Sequence, residues 1–207
     1  STCAQAQAIV EKYGLDLSPA AQELLRRETP KSLSNVTTQI TGSVRELCAA
    51  ASAACRELGY EPVLLTDSLD CEAREAGAFL AAVARAHQDT DCSLAFLAGG
   101  ETVVHLTGSG LGGRNQELAL SAAAGIAGLE DTAVFSLGSD GTDGPTDAAG
   151  GFVDGGTKER LARQGVRIFE VLKNNDAYHA LAACGGLLHT GATGTNVNDV
   201  AVLLIRR

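Results

Sequence analysis

Leu94-Ala95-Phe96-Leu97-Ala98, the core of the stretch CSLAFLA at residues 92–98, is a continuous apolar run closed by Gly99 and Gly100. A strand with one wet face alternates apolar and polar residues, whereas an unbroken run suits a strand covered on both faces. Similar short runs stand on either side of it: PVLLTD at 62–67, TAVFSL at 132–137 and VAVLLI at 200–205. Between them lie segments with helical spacing. In 43–58, Val44, Leu47, Cys48, Ala51, Cys55 and Leu58 share one stripe after the capping Ser43, and Gly59 stops the helix. Helices are also expected over 72–87, from Arg114 to Ala127, and as short pieces near 157–164 and 176–183. This alternation predicts an α/β fold: a layered α/β/α sandwich with a mixed, largely parallel sheet. ETVVHLT at 101–107 alternates and reads as an edge strand, and VTTQIT at 36–41 as a further strand. No internal repeat is evident.

The first 34 residues have a different character. Thr2 precedes a helical segment ended by Gly14, and Ser18-Pro19 caps a second one before a Ser/Asn-rich stretch. Residues 1–34 are therefore expected to be a helical lead-in and connector, and 35–207 the α/β domain. A start at Ser1 rather than methionine leads us to expect a piece of something longer.

Composition narrows the class. The chain has 207 residues, 45% of them hydrophobic and 20% charged, which fits a folded core and not a disordered chain. Sixteen basic against 25 acidic residues give a net charge of −9, which argues against nucleic acid or an anionic membrane surface as partner. No run approaches the roughly 18 apolar residues of a membrane span, and no signal-peptide core opens the chain. Six cysteines without a C-x-x-C pair read as buried, reduced thiols, and the expected location is the cytoplasm.

The chemistry is concentrated where glycine is. Fifteen of the 24 glycines lie between Gly99 and Gly156, and residues 86–157 hold ten acidic residues against one basic residue, Arg114. After the apolar strand at 132–137, the loop 138–147 carries Asp140, Asp143 and Asp147. Carboxylates so close, with no cation interspersed, call for a metal ion, a proton or separation. Binding of a hard cation such as Mg²⁺ or of substrate is the preferred reading, and a set of Asx-turns is the alternative. The segment 108–113, Gly-Ser-Gly-Leu-Gly-Gly, formally matches G-x-G-x-x-G ahead of a helix that opens with Arg114 and Asn115. Phosphate or carboxylate binding by Gly110, Gly112, Gly113, Asn115 and Arg114 is favoured there over a dinucleotide, and a ligand-free turn stays open. A third loop, TGATGTNVND at 190–199, offers Thr195, Asn196 and Asn198 as an anion nest, with a plain turn equally supported. The four histidines show no metal-ligand spacing; three read as structural, and His189 stays open as a site residue.

GGETVVHLTGSGLGGRNQELAL, GSDGTDGPTDAAGGFVDG, NNDAYHAL and TGATGTNVNDVAVLLI, in this order over residues 95–206, resemble the successive signatures of the MOFRL domain of glycerate kinases that form 2-phosphoglycerate. The resemblance implies phosphoryl transfer from ATP to the 2-hydroxyl of D-glycerate, with Mg²⁺ or another divalent cation, in a cleft between two α/β domains. It places Arg114 and Asp140 at the family's arginine and aspartate positions, with Asp143, Asp147, Thr195, Asn196 and Asn198 as neighbours. Ser139 and Ala192 depart from the family's threonine and proline. It further implies an N-terminal Rossmann-like domain with a catalytic lysine, which has no counterpart before Ser1, so the 207 residues alone are expected to be inactive. Glycerate, ATP and that domain are the expected partners, and a homodimer is compatible. Two other functions compete: NAD(P)H-dependent hydroxypyruvate reduction, prompted by the G-x-G-x-x-G match, and a non-catalytic binding module.

Overall fold

The computed structural model describes residues 2–207, which form two compact units, one ending at Ile40 and one running from Thr41 to Arg207. The division falls six residues later than the sequence pattern suggests. In the first unit, helix α1 (Cys3–Tyr13) starts in a capping box: Thr2 Oγ1 accepts from the Gln5 amide at 3.2 Å, and Gln5 Oε1 accepts from the Thr2 amide at 2.8 Å. Gly14 ends it in the left-handed conformation. Helix α2 (Pro19–Leu24) follows the Ser18 cap, and neither helix buries a residue within the structure. The strand expected at 36–41 does not form: no partner strand pairs with it, and Val36 and Ile40 are exposed. Propensity without a ladder partner leaves the backbone groups of a strand unsatisfied.

The second unit runs α3 (Val44–Glu57), β1 (Glu61–Leu69), α4 (Ala73–Ala86), β2 (Leu94–Gly100), α5 (Arg114–Gly125), β3 (Thr132–Gly138), β4 (Gly150–Asp154), α6 (Thr157–Arg163), α7 (Ile168–Lys173), α8 (Ala177–Cys184), β5 (Leu187–Leu188) and β6 (Asp199–Ile205). The six-stranded sheet has the order β1-β2-β6-β3-β4-β5. The α/β class and the mixed sheet are as expected, but the sheet is not largely parallel. Only β1 and β2 pair in parallel, and every other neighbouring pair is antiparallel. The reason is β6: the last strand inserts between β2 and β3 and runs against both. Continuous apolar runs report burial on two faces, not strand direction.

That double burial is plain along β2 and β6. Leu94 and Phe96, with Ala201, Leu203 and Ile205, face the larger core under α4 and α5; Ala95 and Leu97, with Val200 and Val202, face a smaller one under α3. ETVVHLT is not a strand. It makes a single bridge, Val103 to Glu72, because its later residues bond to the segment preceding α8. Strands β4 and β5 and helix α7 escape a sequence reading, since GGFVD carries two glycines and a terminal aspartate and the other two elements are very short. All six cysteines are unpaired; Cys48 and Cys55 are buried as expected, but Cys71 and Cys92 are exposed.

Candidate active site

Because β6 is antiparallel to both neighbours, its first residue lies beside their last ones: Asp199 pairs with Gly100 of β2 and Gly138 of β3. The three glycine-rich segments therefore meet at one end of the sheet, outside the carboxyl ends of β2 and β3, where α/β proteins place ligands. Gly138 is the crossing point. A Cβ there would lie 3.1 Å from Asp140 Oδ1 and 3.4 Å from Asp199 Oδ1.

Arg114 is the first residue of α5. Its Nε donates to Asp199 Oδ2 at 2.5 Å and its Nη2 to Asp199 Oδ1 at 3.1 Å, while Nη1 lies 3.2 Å from Glu101 Oε1. The two carboxylates differ in setting: the Asp199 side chain is 9% exposed and the Glu101 side chain 55%. The hydrogen-bonded Asp199 holds the guanidinium even more firmly protonated than usual. Arg114 thus joins Asp199 to Glu101, and Asp199 in turn lies across Gly138 from Asp140. Sequence reading misses both carboxylate partners. The available signal is Asp199 itself, a lone charge heading the apolar run of the last strand.

Asp143 has gone elsewhere. It is 2% exposed, and its Oδ1 accepts from the Asn115 amide at 3.1 Å and from Asn115 Nδ2 at 3.3 Å, while its Oδ2 accepts from the Gln116 amide at 2.8 Å. The anion at the start of α5 is therefore the protein's own. Burial pushes the Asp143 carboxyl up to about 6, against the pull of those amides, and nearby Asp199 acts in the same direction as burial. Gly113 has to be glycine, because a Cβ would strike the Asp143 carboxylate.

The rest of the G-x-G-x-x-G loop is clamped from the other side. The Gly108 and Thr107 amides donate to Asn175 Oδ1 at 3.0 and 2.8 Å, the Ser109 amide to Asn174 Oδ1 at 3.2 Å, the Gly110 amide to the Asn174 carbonyl at 2.9 Å and the Leu111 amide to Asp176 Oδ1 at 2.9 Å. Asn175 is buried and left-handed, and its Nδ2 donates to the buried Glu117 at 3.1 Å. The expected ligand donors of Gly110 and Asn115 are thus engaged inside the chain, and Gly112 packs against Ala177.

Asp140 is half-buried. Its Oδ1 accepts from the amide and hydroxyl of Thr142 at 3.0 and 3.1 Å, and its Oδ2 from Asn196 Nδ2 at 3.2 Å. Ser139 ties the two loops together: its hydroxyl accepts from the Val197 amide at 2.8 Å, its amide donates to the Asn198 carbonyl at 3.0 Å, and its carbonyl accepts from Thr193 Oγ1 at 2.5 Å. Asn198 is left-handed and donates its amide to Asn196 Oδ1, whereas Thr195 is exposed. Asp147 accepts from Tyr178 OH at 2.8 Å, and its carbonyl meets His189 Nδ1 at 3.2 Å. The three aspartates expected to share a cation are thus dispersed. Among the described residues no group of three or more His, Cys, Asp or Glu side chains is placed to hold a metal ion.

A cleft of about 760 Å³ opens beside Arg114, walled by Glu101, Val103, Leu106 and Pro145. A groove of about 840 Å³ near the other end of α5, between Ala81, Gly125 and Phe169, contains none of these site residues. Among the described residues, no helix is long and apolar enough to cross a membrane.

Comparison with known proteins places this geometry. The MOFRL family pattern matches residues 94–199. The chain is 49% identical to a D-glycerate 2-kinase of Thermotoga maritima over 99% of its own length and 50% of that protein's, and 39% identical to a glycerate 2-kinase of Pyrococcus horikoshii over 89% and 42%. It superposes on the crystal structure of glycerate kinase from Thermotoga maritima with a TM-score of 0.83 at 49% identity, covering 99% of this chain and 50% of that one. The chain spans about half the length of the relatives it matches.

Proposed function

This chain belongs to the MOFRL family, and from that premise we propose that it supplies one half of a glycerate kinase active site, in which the γ-phosphoryl group of ATP passes to the 2-hydroxyl of D-glycerate to give 2-phosphoglycerate. The observation that carries this reading is the convergence of Arg114, on Asp199, with Asp140 across Gly138. Phosphoryl transfer asks a protein mainly to position reactants and to stabilise charge on equatorial oxygens. Arg114, fixed by Asp199, would hold the substrate carboxylate or the transferred group. Asp140, oriented by Thr142 and Asn196, would accept the hydroxyl proton or hold a cation, with Thr195 and Asn198 in the adjoining loop.

A divalent cation fits here only through few protein ligands. Asp143 is buried with both oxygens accepting at the start of α5, and Asp147 Oδ1 accepts from Tyr178; Asp140 also accepts on both oxygens, but it lies across Gly138 from Asp199 and is the carboxylate we assign to the cation. Mg²⁺ commonly binds through one or two carboxylates plus substrate phosphates, and when bound it would neutralise charge on the phosphoryl oxygens. The remaining catalytic groups would come from a second domain, so the 207 residues alone are expected to be inactive.

Hydroxypyruvate reduction loses its structural motive. Of the amides that would cradle a dinucleotide pyrophosphate, those of Ser109, Gly110 and Leu111 are taken by Asn174 and Asp176, and those of Asn115 and Gln116 by Asp143. The test is turnover of D-glycerate and ATP by the full-length protein and its Arg114→Ala variant. We expect 2-phosphoglycerate from the wild type and a loss of about 10²–10³-fold in kcat/KM from the variant. Unchanged turnover in Arg114→Ala would refute the reading and favour a site outside this chain.

A further inference from the structure

Arg114 has five N–H donors, and the chain uses them unequally. Two, on Nε and Nη2, are committed to the nearly buried Asp199. Of the other three, two form the terminal Nη1/Nη2 edge and one, on Nη1, points back toward Cδ; the only carboxylate partner of these groups among the described residues is Glu101, an ion pair to Nη1 at 3.2 Å with no hydrogen bond of good geometry. Glu101 is anchored and free at once. Its amide donates to the Leu69 carbonyl at 2.7 Å at the end of β1, while its side chain is 55% exposed at the mouth of the Arg114 cleft.

We propose that Glu101 is a displaceable carboxylate: it occupies the terminal edge of Arg114 until an anionic oxygen of the substrate, carboxylate or phosphoryl, exchanges for it. The proposal rests on the glycerate kinase reading for the identity of the ligand, but not for the exchange itself. Asp199 is the fixed arm. Its bidentate grip keeps the guanidinium plane in place, so that the terminal edge is presented to the cleft whichever anion occupies it. Glu101 is the mobile arm, since an ion pair with a largely exposed carboxylate contributes little and is readily given up to a ligand with two oxygens. Removal of Glu101 therefore strengthens binding of an anion, whereas removal of a residue that helped hold the substrate would weaken it.

The measurement is calorimetric affinity of the full-length protein for D-glycerate and, separately, for inorganic phosphate, in the wild type, Glu101→Gln and Glu101→Asp. Glu101→Gln is expected to tighten at least one of the two anions by about two- to fivefold. Glu101→Asp keeps the charge but shortens the arm and is expected to tighten the same anion. An effect on D-glycerate alone assigns the edge to the carboxylate, an effect on phosphate alone assigns it to the phosphoryl group, and an effect on both makes it a general oxyanion edge. If neither anion gains affinity, or if Glu101→Asp behaves as wild type and so reveals only a diffuse charge effect, the proposal is overturned. Turnover with ATP is scored independently: a wild type without kinase activity whose Glu101→Gln variant still gains anion affinity refutes the function and leaves the exchange standing.

Discussion

The segment at 108–113, beyond β2 and the non-strand residues 101–107, and the loop at 138–142, at the end of β3, both carry glycines and both look like ligand loops on paper, yet the structure treats them in opposite ways. The first is enclosed: its amides bond to Asn174, Asn175 and Asp176, and the helix start behind it is filled by Asp143. The second lies over the neighbouring loop at 190–198 and holds a half-buried Asp140 beside Asn196. Asp140 and Asp143 are three residues apart and differ in setting, one half-buried against Thr142 and Asn196 and the other buried at the start of α5. A glycine-rich sequence thus marks close approach of backbone without saying whether the approaching group is a substrate or another part of the same chain.

Substitutions in the two loops should separate stability from activity. The largest effect on stability is expected from Asp143→Ala, which leaves the first amides of α5 without an acceptor inside the protein and should cost about 2–3 kcal/mol by chemical denaturation. Its penalty should also depend on pH in a particular sense. The folded carboxyl, raised to about 6 from an ordinary value of 3.8, binds a proton more tightly than the unfolded one. The contribution of Asp143 is therefore greatest below about pH 4 and declines as pH rises through about 6, by at most about 3 kcal/mol. Asp143→Ala should accordingly be more damaging at pH 5 than at pH 8, and the opposite trend would show that the amides, not burial, dominate the carboxyl.

Asn175→Ala comes next. It removes the acceptor for two loop amides and the donor to buried Glu117, and about 2 kcal/mol of stability should go with it, accompanied by faster amide exchange at Thr107 and Gly108. The smallest change in stability belongs to Asp140→Asn, expected at about 1 kcal/mol or less because the half-buried position keeps an Oδ1 acceptor for Thr142 and loses only the bond from Asn196. Turnover of the full-length protein by that variant should nevertheless fall. Recovery at high Mg²⁺ would assign Asp140 to the cation, and no recovery would assign it to the proton. If Asp140→Asn proved as destabilising as Asp143→Ala, the contrast between the two loops would fail.

Much of this contrast's setting is legible in the sequence. The continuous runs at 94–98 and 200–205 mark strands buried on both sides, and the isolation of Arg114 among acidic residues singles it out as a candidate site residue. Asp199 is not legible as its partner, because the pairing spans 85 residues and depends on β6 entering the sheet between β2 and β3. Glu101 is absorbed into an expected strand that does not form. The acidic loop reads as one cluster because spacing along the chain cannot say which carboxylate turns inward.

The linear chain by itself determined the α/β class, the main helices and strands of the larger unit, and the identity of its one candidate catalytic arginine, since these follow from local periodicity, capping residues and charge. Strand direction, the assignment of three aspartates to three separate tasks, and the partners of Arg114 were decided only in three dimensions. Each depends on contacts between residues far apart in sequence, and local periodicity carries no information about which distant strand or side chain will arrive alongside.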